Sequence, residues 1–150
     1  MANVVPYAFP VELLTGTHNF SNGGNTFKLA LYTSSPYTTA STAYVTTNEV
    51  SSAGGSQYGA GGNTLTGQQL TNINNVATVD FAQTVWGTPT AATFTAAFGA
   101  IYNYTQADKL VVVLDFGGDK SCSNGTFTIT FPDATTGSPA GTDAILSITS

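Results

Sequence analysis

The chain is 150 residues long, carries a formal net charge of −5, and only 7% of its residues are charged, against about a quarter in an ordinary globular domain. Three lysines and no arginine cannot supply the positive charge on which nucleic-acid affinity rests, and no apolar run reaches the ~18 residues of a membrane helix. The length suits a single domain, large enough to fold without a disulfide or metal.

A hydrophobic share of 41% argues against disorder. Twenty-six threonines, nine phenylalanines and seven tyrosines favour strands, while sixteen glycines punctuate turns. The composition predicts an all-β protein. The first residues hold no basic stretch followed by an apolar one, so no secretory signal is expected. Cys122, the one cysteine, cannot form a bridge within the chain, which fits folding in a reducing cytoplasm.

Residues 1–20 read as an N-terminal arm. Val4-Val5-Pro6-Tyr7-Ala8-Phe9-Pro10 is apolar and proline-containing, so it is expected to be extended, with residues 11–14 making one short helical turn. An apolar arm must dock on its own domain or on a neighbour. From residue 26 the period-2 pattern starts, with Phe27, Leu29 and Leu31 on one face. Residues 42–47 are a weaker strand, and the glycine-rich stretch 54–62 is a loop. Strands are then expected at 63–70, 76–86 and 93–104, the last with Phe94, Ala96, Phe98, Ala100, Tyr102 and Tyr104 on one side. The apolar run 110–116 reads as a central strand covered on both faces. Strands at 126–131 and 144–149 complete the pattern. About eight strands without an intervening helix predict an antiparallel β-sandwich of jelly-roll type over residues 21–150. An immunoglobulin-like sandwich is the alternative, but it lacks the Cys…Trp…Cys frame.

Chemistry-bearing sets are sparse. His18 is the only histidine. With no HxH, HxxxH or Cys/His cluster around it, it reads as a surface or capping residue. Asp115-Phe116-Gly117 copies the magnesium-binding tripeptide of protein kinases but lacks every companion motif. Gly59-Ala60-Gly61-Gly62 precedes a strand, so it is no dinucleotide fingerprint. Asp115 and Asp119 are too few for a calcium site, and Glu12 and Glu49 lie in an arm and a loop, a thin basis for paired-carboxylate hydrolysis. The Asn19, Asn103 and Asn124 triplets read as accidental glycosylation motifs. No catalytic residue, metal site or cofactor is expected. Trp86 and the tyrosines could stack on sugars, but core or protein-interface roles fit amphipathic rings better. Tyr37, Tyr44 and Tyr58, in the loop-rich part, and Val4, Val5, Pro6, Tyr7 and Phe9, in the arm, are the candidate interface residues. A surface of Thr, Ser, Asn and Gly suits a protein held in an assembly.

Four segments, FKLALYTSSPYTTASTAYVTTNEVSS, YGAGGNTLTG, FGAIYNYTQADKLVVVLDFGGDKS and NGTFTITFP, resemble a family of small virion structural proteins of tailed bacteriophages. The resemblance spans roughly residues 13–148 and leaves out the arm at 3–10. It implies no enzyme activity and brings no functional residues. It implies a capsid decoration, or cement, protein made in the host bacterial cytoplasm. Such a protein would sit on the outside of the virion, bound to the major capsid protein, as a homodimer or homotrimer. A tail, fibre or neck component, or a jelly-roll module binding host glycans through Trp86 or the loop tyrosines, is the alternative. Deleting residues 2–10 is expected to leave the β domain folded but abolish incorporation into particles.

Overall fold

The structure, a computed structural model, describes residues 3–73, 75–132 and 145–149. It is mostly β. Among the described residues one helix, α1 (Ala8–Leu14), precedes nine strands: β1 (Phe27–Tyr32), β2 (Asn63–Thr64), β3 (Gln69–Ile73), β4 (Val76–Asp80), β5 (Thr84–Trp86), β6 (Ala92–Asn103), β7 (Lys109–Gly125), β8 (Phe127–Ile129) and β9 (Leu146–Thr149). They pair antiparallel in three sheets, ordered β2-β1-β6-β7, β3-β4-β9 and β5-β8. Residue 144, the expected start of the last strand, lies outside the described residues.

The long β6–β7 hairpin is the frame. Leu110, Val111, Val112 and Val113 are all buried, so this part of the run is covered on both faces as expected, whereas Leu114, Asp115 and Phe116 are half-buried. It is nevertheless the edge strand of its sheet. Over residues 110–115 its outward backbone groups are met by other parts of the chain. Val4 and Val113 exchange two N–H···O bonds of 2.9 and 2.8 Å, and Leu110 N–H donates to Thr42 O at 3.0 Å. An edge covered in this way is not a template for stray pairing.

Strand β7 also runs further than expected, through the Gly117-Gly118 pair. Between the pairs Ala96↔Lys120 and Phe98↔Asp115, one residue of β6 faces four of β7. Gly117 and Gly118, at φ 72° and 126°, supply the backbone that this wide bulge needs. The bulge switches the faces of β6. Phe94 and Ala96 belong to one apolar cluster, whereas Phe98, Ala100 and Tyr102 belong to the other. The side chains expected on one side are therefore divided between two.

Residues 76–86 do not form one strand either. Asp80 Oδ1 accepts the Phe81 N–H at 2.7 Å, the chain turns, and β4 and β5 join different sheets. Of the weak strand at 42–47, only an isolated bridge, Ala43↔Lys109, is paired. The 63–70 region divides into β2 and β3, and pairing at 126–131 is confined to β8.

Two apolar clusters flank the four-stranded sheet. The larger joins Phe27, Leu29 and Leu31 of β1 to Phe9, Phe20, Phe81, Trp86, Phe94, Phe127 and Phe131. The smaller joins Tyr32, Ala100, Tyr102 and Val113 to Tyr37 and Tyr44, and so seats the long connection between β1 and β2. Gly62, at φ 73°, lets that connection come back against β1. A Cβ there would lie 1.8 Å from Leu29 O, so no other residue fits.

Candidate functional site

The N-terminal stretch is where sequence and structure part most informatively. It is not an extended arm. Helix α1 begins at Ala8, before Pro10, because a proline in the first helical turn forfeits no intrahelical bond. The helix has seven residues, no side-chain cap and no acidic residue in its first turn, so it owes its stability to what it packs on. Two of its residues, Phe9 and Glu12, are buried.

Beside it runs an apolar groove of about 390 Å³. Its lining comes from the α1 region, including Phe9 and Leu13, and from β3, β4 and β9, including Leu70, Val79 and Ile148; His18, Asn19 and Ser147 are its polar members, and no Asp, Glu or Lys takes part. Among the described residues eight large apolar side chains are exposed, and six of them (Val5, Tyr7, Val11, Leu14, Leu70, Ile148) lie on α1, on the stretch before it, or on β3 and β9. Leu14 is 89% exposed and Tyr7 74%. Val5, Leu70 and Ile148 line the groove itself, and exposed apolar side chains gathered in one region of the surface mark a contact surface.

Beneath the groove lies a buried polar relay. Glu12 accepts a hydrogen bond from Lys109 Nζ on Oε1 and one from His18 Nε2 on Oε2 at 3.0 Å. His18 Nδ1 lies 3.0 Å from Asn103 Nδ2, and that amide also donates to Asn25 Oδ1 at 2.9 Å. An amide nitrogen only donates, so His18 accepts on Nδ1 and carries its proton on Nε2. Burial pushes the His18 imidazole below its ordinary value, although the Glu12 carboxylate opposes this. Burial pushes Glu12 up, but the Lys109 and His18 bonds outweigh it and hold its carboxyl below the usual range. The relay is thus a neutral imidazole on a charged carboxylate–ammonium pair.

His18 is therefore no surface residue. It is 5% exposed, with Phe9 and Phe20 rings 5.2 and 6.0 Å away. Nothing in its local sequence signals this, because Asn103 lies 85 positions away and Lys109 comes from the far end of the same hairpin turn. The three tyrosines expected at an interface are used inside the fold. Tyr37 and Tyr58 are buried, and Tyr44 stacks on Tyr102 with centroids 4.6 Å apart. Glu49 gathers the Tyr44 and Tyr58 hydroxyls and the Gly61 N–H, each at 2.7 Å. Trp86 is enclosed by Tyr58, Phe94 and Phe127 and offers no ring face to a sugar.

Of the expected arm residues, Pro6 and Phe9 are buried and Val4 is paired with β7, which leaves Val5 and Tyr7 outward. Deleting residues 2–10 would thus remove core as well as surface. Glu12 and Glu49 belong to separate networks, and no group of three or more His, Cys, Asp or Glu comes together among the described residues. Among the described residues no helix is long and apolar enough to cross a membrane. Comparison with protein-family models, with curated proteins and with solved structures finds no match.

Proposed function

We propose that the chain is a non-enzymatic structural protein of a tailed-bacteriophage virion, a decoration or cement protein bound to the outer surface of the major capsid shell as a dimer or trimer. The observation that carries the binding role is the gathering of exposed apolar side chains around α1 and its uncharged groove. The resemblance of four segments to phage virion proteins supplies the assembly. The fold in this reading is a jelly-roll sandwich, the four-stranded sheet facing the smaller sheets across the phenylalanine-rich core. The scarcity of mobile charge agrees with it: Lys109 is tied to Glu12, and Lys28 lies over the Tyr104 ring, 5.1 Å from its centroid. The mechanism is additive. Each copy bridges neighbouring shell subunits, and whatever binds the assembled shell but not its parts stabilises the shell.

The test is copy number. Quantitative mass spectrometry of purified virions is expected to give a simple ratio to the major capsid protein. A handful of copies per particle would replace this reading with a tail, fibre or neck component. A second measurement uses Leu14→Lys, which alters only the exposed face. Incorporation is expected to fall at least about tenfold, since a charge forced into an apolar contact costs more than the 1.4 kcal/mol that a factor of ten requires. Undiminished occupancy would remove α1 from the contact.

A further inference from the structure

We propose that the Glu12–His18–Asn103 relay is an acid-released latch, which holds residues 7–18 on the sheet when His18 is neutral and frees them when His18 takes up a proton, while Val4 stays paired with β7. This stands apart from the virion reading and depends only on the fold.

The geometry leaves the ring nowhere to place a second proton. Nε2–H already faces the Glu12 carboxylate at 3.0 Å. A proton on Nδ1 would meet the Asn103 amide N–H₂ across the same 3.0 Å. Rotating that amide would not solve the conflict. Its nitrogen donates to Asn25 Oδ1 at 2.9 Å, and its oxygen accepts the Gln106 N–H at 3.2 Å. Exchanging them would set oxygen against oxygen and N–H against N–H. The groups around the ring are Glu12 from α1, which favours the imidazolium; Lys109 from β7, which opposes it; and neutral Asn103 from β6, itself bonded to Asn25 just before β1. Phe9 and Phe20 add no polarity. The proton is therefore accommodated by leaving the site.

What leaves with it is set by the weakness of α1. A seven-residue helix without a side-chain cap does not persist alone. Its attachments are Phe9, the Glu12 pair, and backbone bonds such as Tyr7 N–H to Thr39 O. The β6–β7 hairpin beneath is paired on both sides of its bulge and stays.

The sign follows from linkage. The folded imidazole titrates below its ordinary value of 6.5, so opening takes up a proton in the interval between the two values. The closed state is fully favoured above pH 6.5 and loses ground as pH falls. Across the interval the opening equilibrium rises as pH falls, in the sense of one proton taken up on opening. Glu12 stays ionised there, being held below 4.5.

Hydrogen exchange by mass spectrometry from pH 7.5 to pH 5, corrected for intrinsic chemistry, tests this. Opening of the α1 amides is expected to rise on acidification while β6 and β7 stay protected, and His18→Gln is expected to flatten the dependence. A flat wild-type profile would overturn the latch. So would an unchanged slope in H18Q, or β6–β7 amides opening together with α1. If H18Q does not fold, the wild type decides. His18 is the only histidine, so one imidazole C–H resonance reports its titration. A midpoint matching that of α1 opening supports the latch, and a ring that titrates while α1 stays closed overturns it.

Discussion

The two faces of the four-stranded sheet are covered in different ways. On one face the cover is phenylalanine: eight of the nine belong to that cluster, with only Phe98 on the other side. Phe20 stacks on Phe27 at 4.5 Å, and Phe27 meets Phe81 at 5.7 Å. The cover on this side comes from α1, from strands such as β4, β5 and β8, and from Phe20, Phe81 and Phe131 in the connections, and plain hydrocarbon fills it. On the other face the cover is a connection without regular structure, and tyrosine takes over. Tyr32 donates to Val45 O at 2.8 Å, Tyr37 accepts the Val45 N–H at 3.1 Å, and the two hydroxyls lie 2.6 Å apart. Tyr102 donates to Gly61 O at 2.7 Å. Tyr58 reaches across from the phenylalanine cluster to accept the Leu31 N–H at 3.0 Å. Each ring buries area while its hydroxyl substitutes for a missing strand partner. Burial also raises these hydroxyls above the ordinary phenol range, so they remain protonated at neutral pH.

The largest break in this comparison is expected from Phe27→Ala. Phe27 is fully buried at the centre of the phenylalanine stack, and truncation of such a ring costs about 3–5 kcal/mol through lost transfer energy and a cavity. Chemical denaturation should register it as a fall in midpoint with the whole domain unfolding cooperatively. On the other face Tyr32→Phe keeps the ring and deletes only the hydroxyl. It leaves Val45 O and the Tyr37 hydroxyl each short of a partner, at a cost of about 1–3 kcal/mol. The decisive readout is where the loss falls. Exchange at residues 37–45 should rise well before that of β1, whereas uniform loosening would mean that the hydroxyls do not hold the connection.

Much of this was legible in the sequence, and the illegible part has a pattern. The strand cores around Phe27–Tyr32, Ala92–Asn103 and the apolar run beginning at Leu110 follow from alternation and β-propensity, which are local. The face switch in β6 was hidden because the residues that cause it, Gly117 and Gly118, belong to its partner strand. The edge position of β7 was hidden because Val4, which covers it, lies 109 positions earlier. The relay at Glu12 and His18 was hidden for the same reason. Its members look solitary in the chain, and only the hairpin brings Asn103 and Lys109 to them. The tyrosines misled in the opposite sense: a polar tip in a loop suggests a partner protein, and here the partner is the chain's own backbone. The exposed face was half legible, since an apolar N-terminal stretch signals a contact, but its helical form and its groove required β3, β4 and β9 to be placed beside it.

The smallest expected effect is the one that separates folding from contact. Leu14 lies on α1 near the groove and is almost wholly exposed, so it contributes little to either cover of the sheet. Leu14→Lys should therefore change the stability of the isolated domain by no more than about 0.5 kcal/mol, the usual range for a surface substitution. Phe27→Ala and Tyr32→Phe both weaken the fold itself, and any loss of assembly that they cause would follow from that. A Leu14→Lys variant with an unshifted denaturation midpoint that still fails to assemble would mark the α1 face as surface kept for a partner. A midpoint lowered by a kilocalorie or more would instead return Leu14 to the core of its own chain, and the two faces of the sheet would then account for all of its apolar packing.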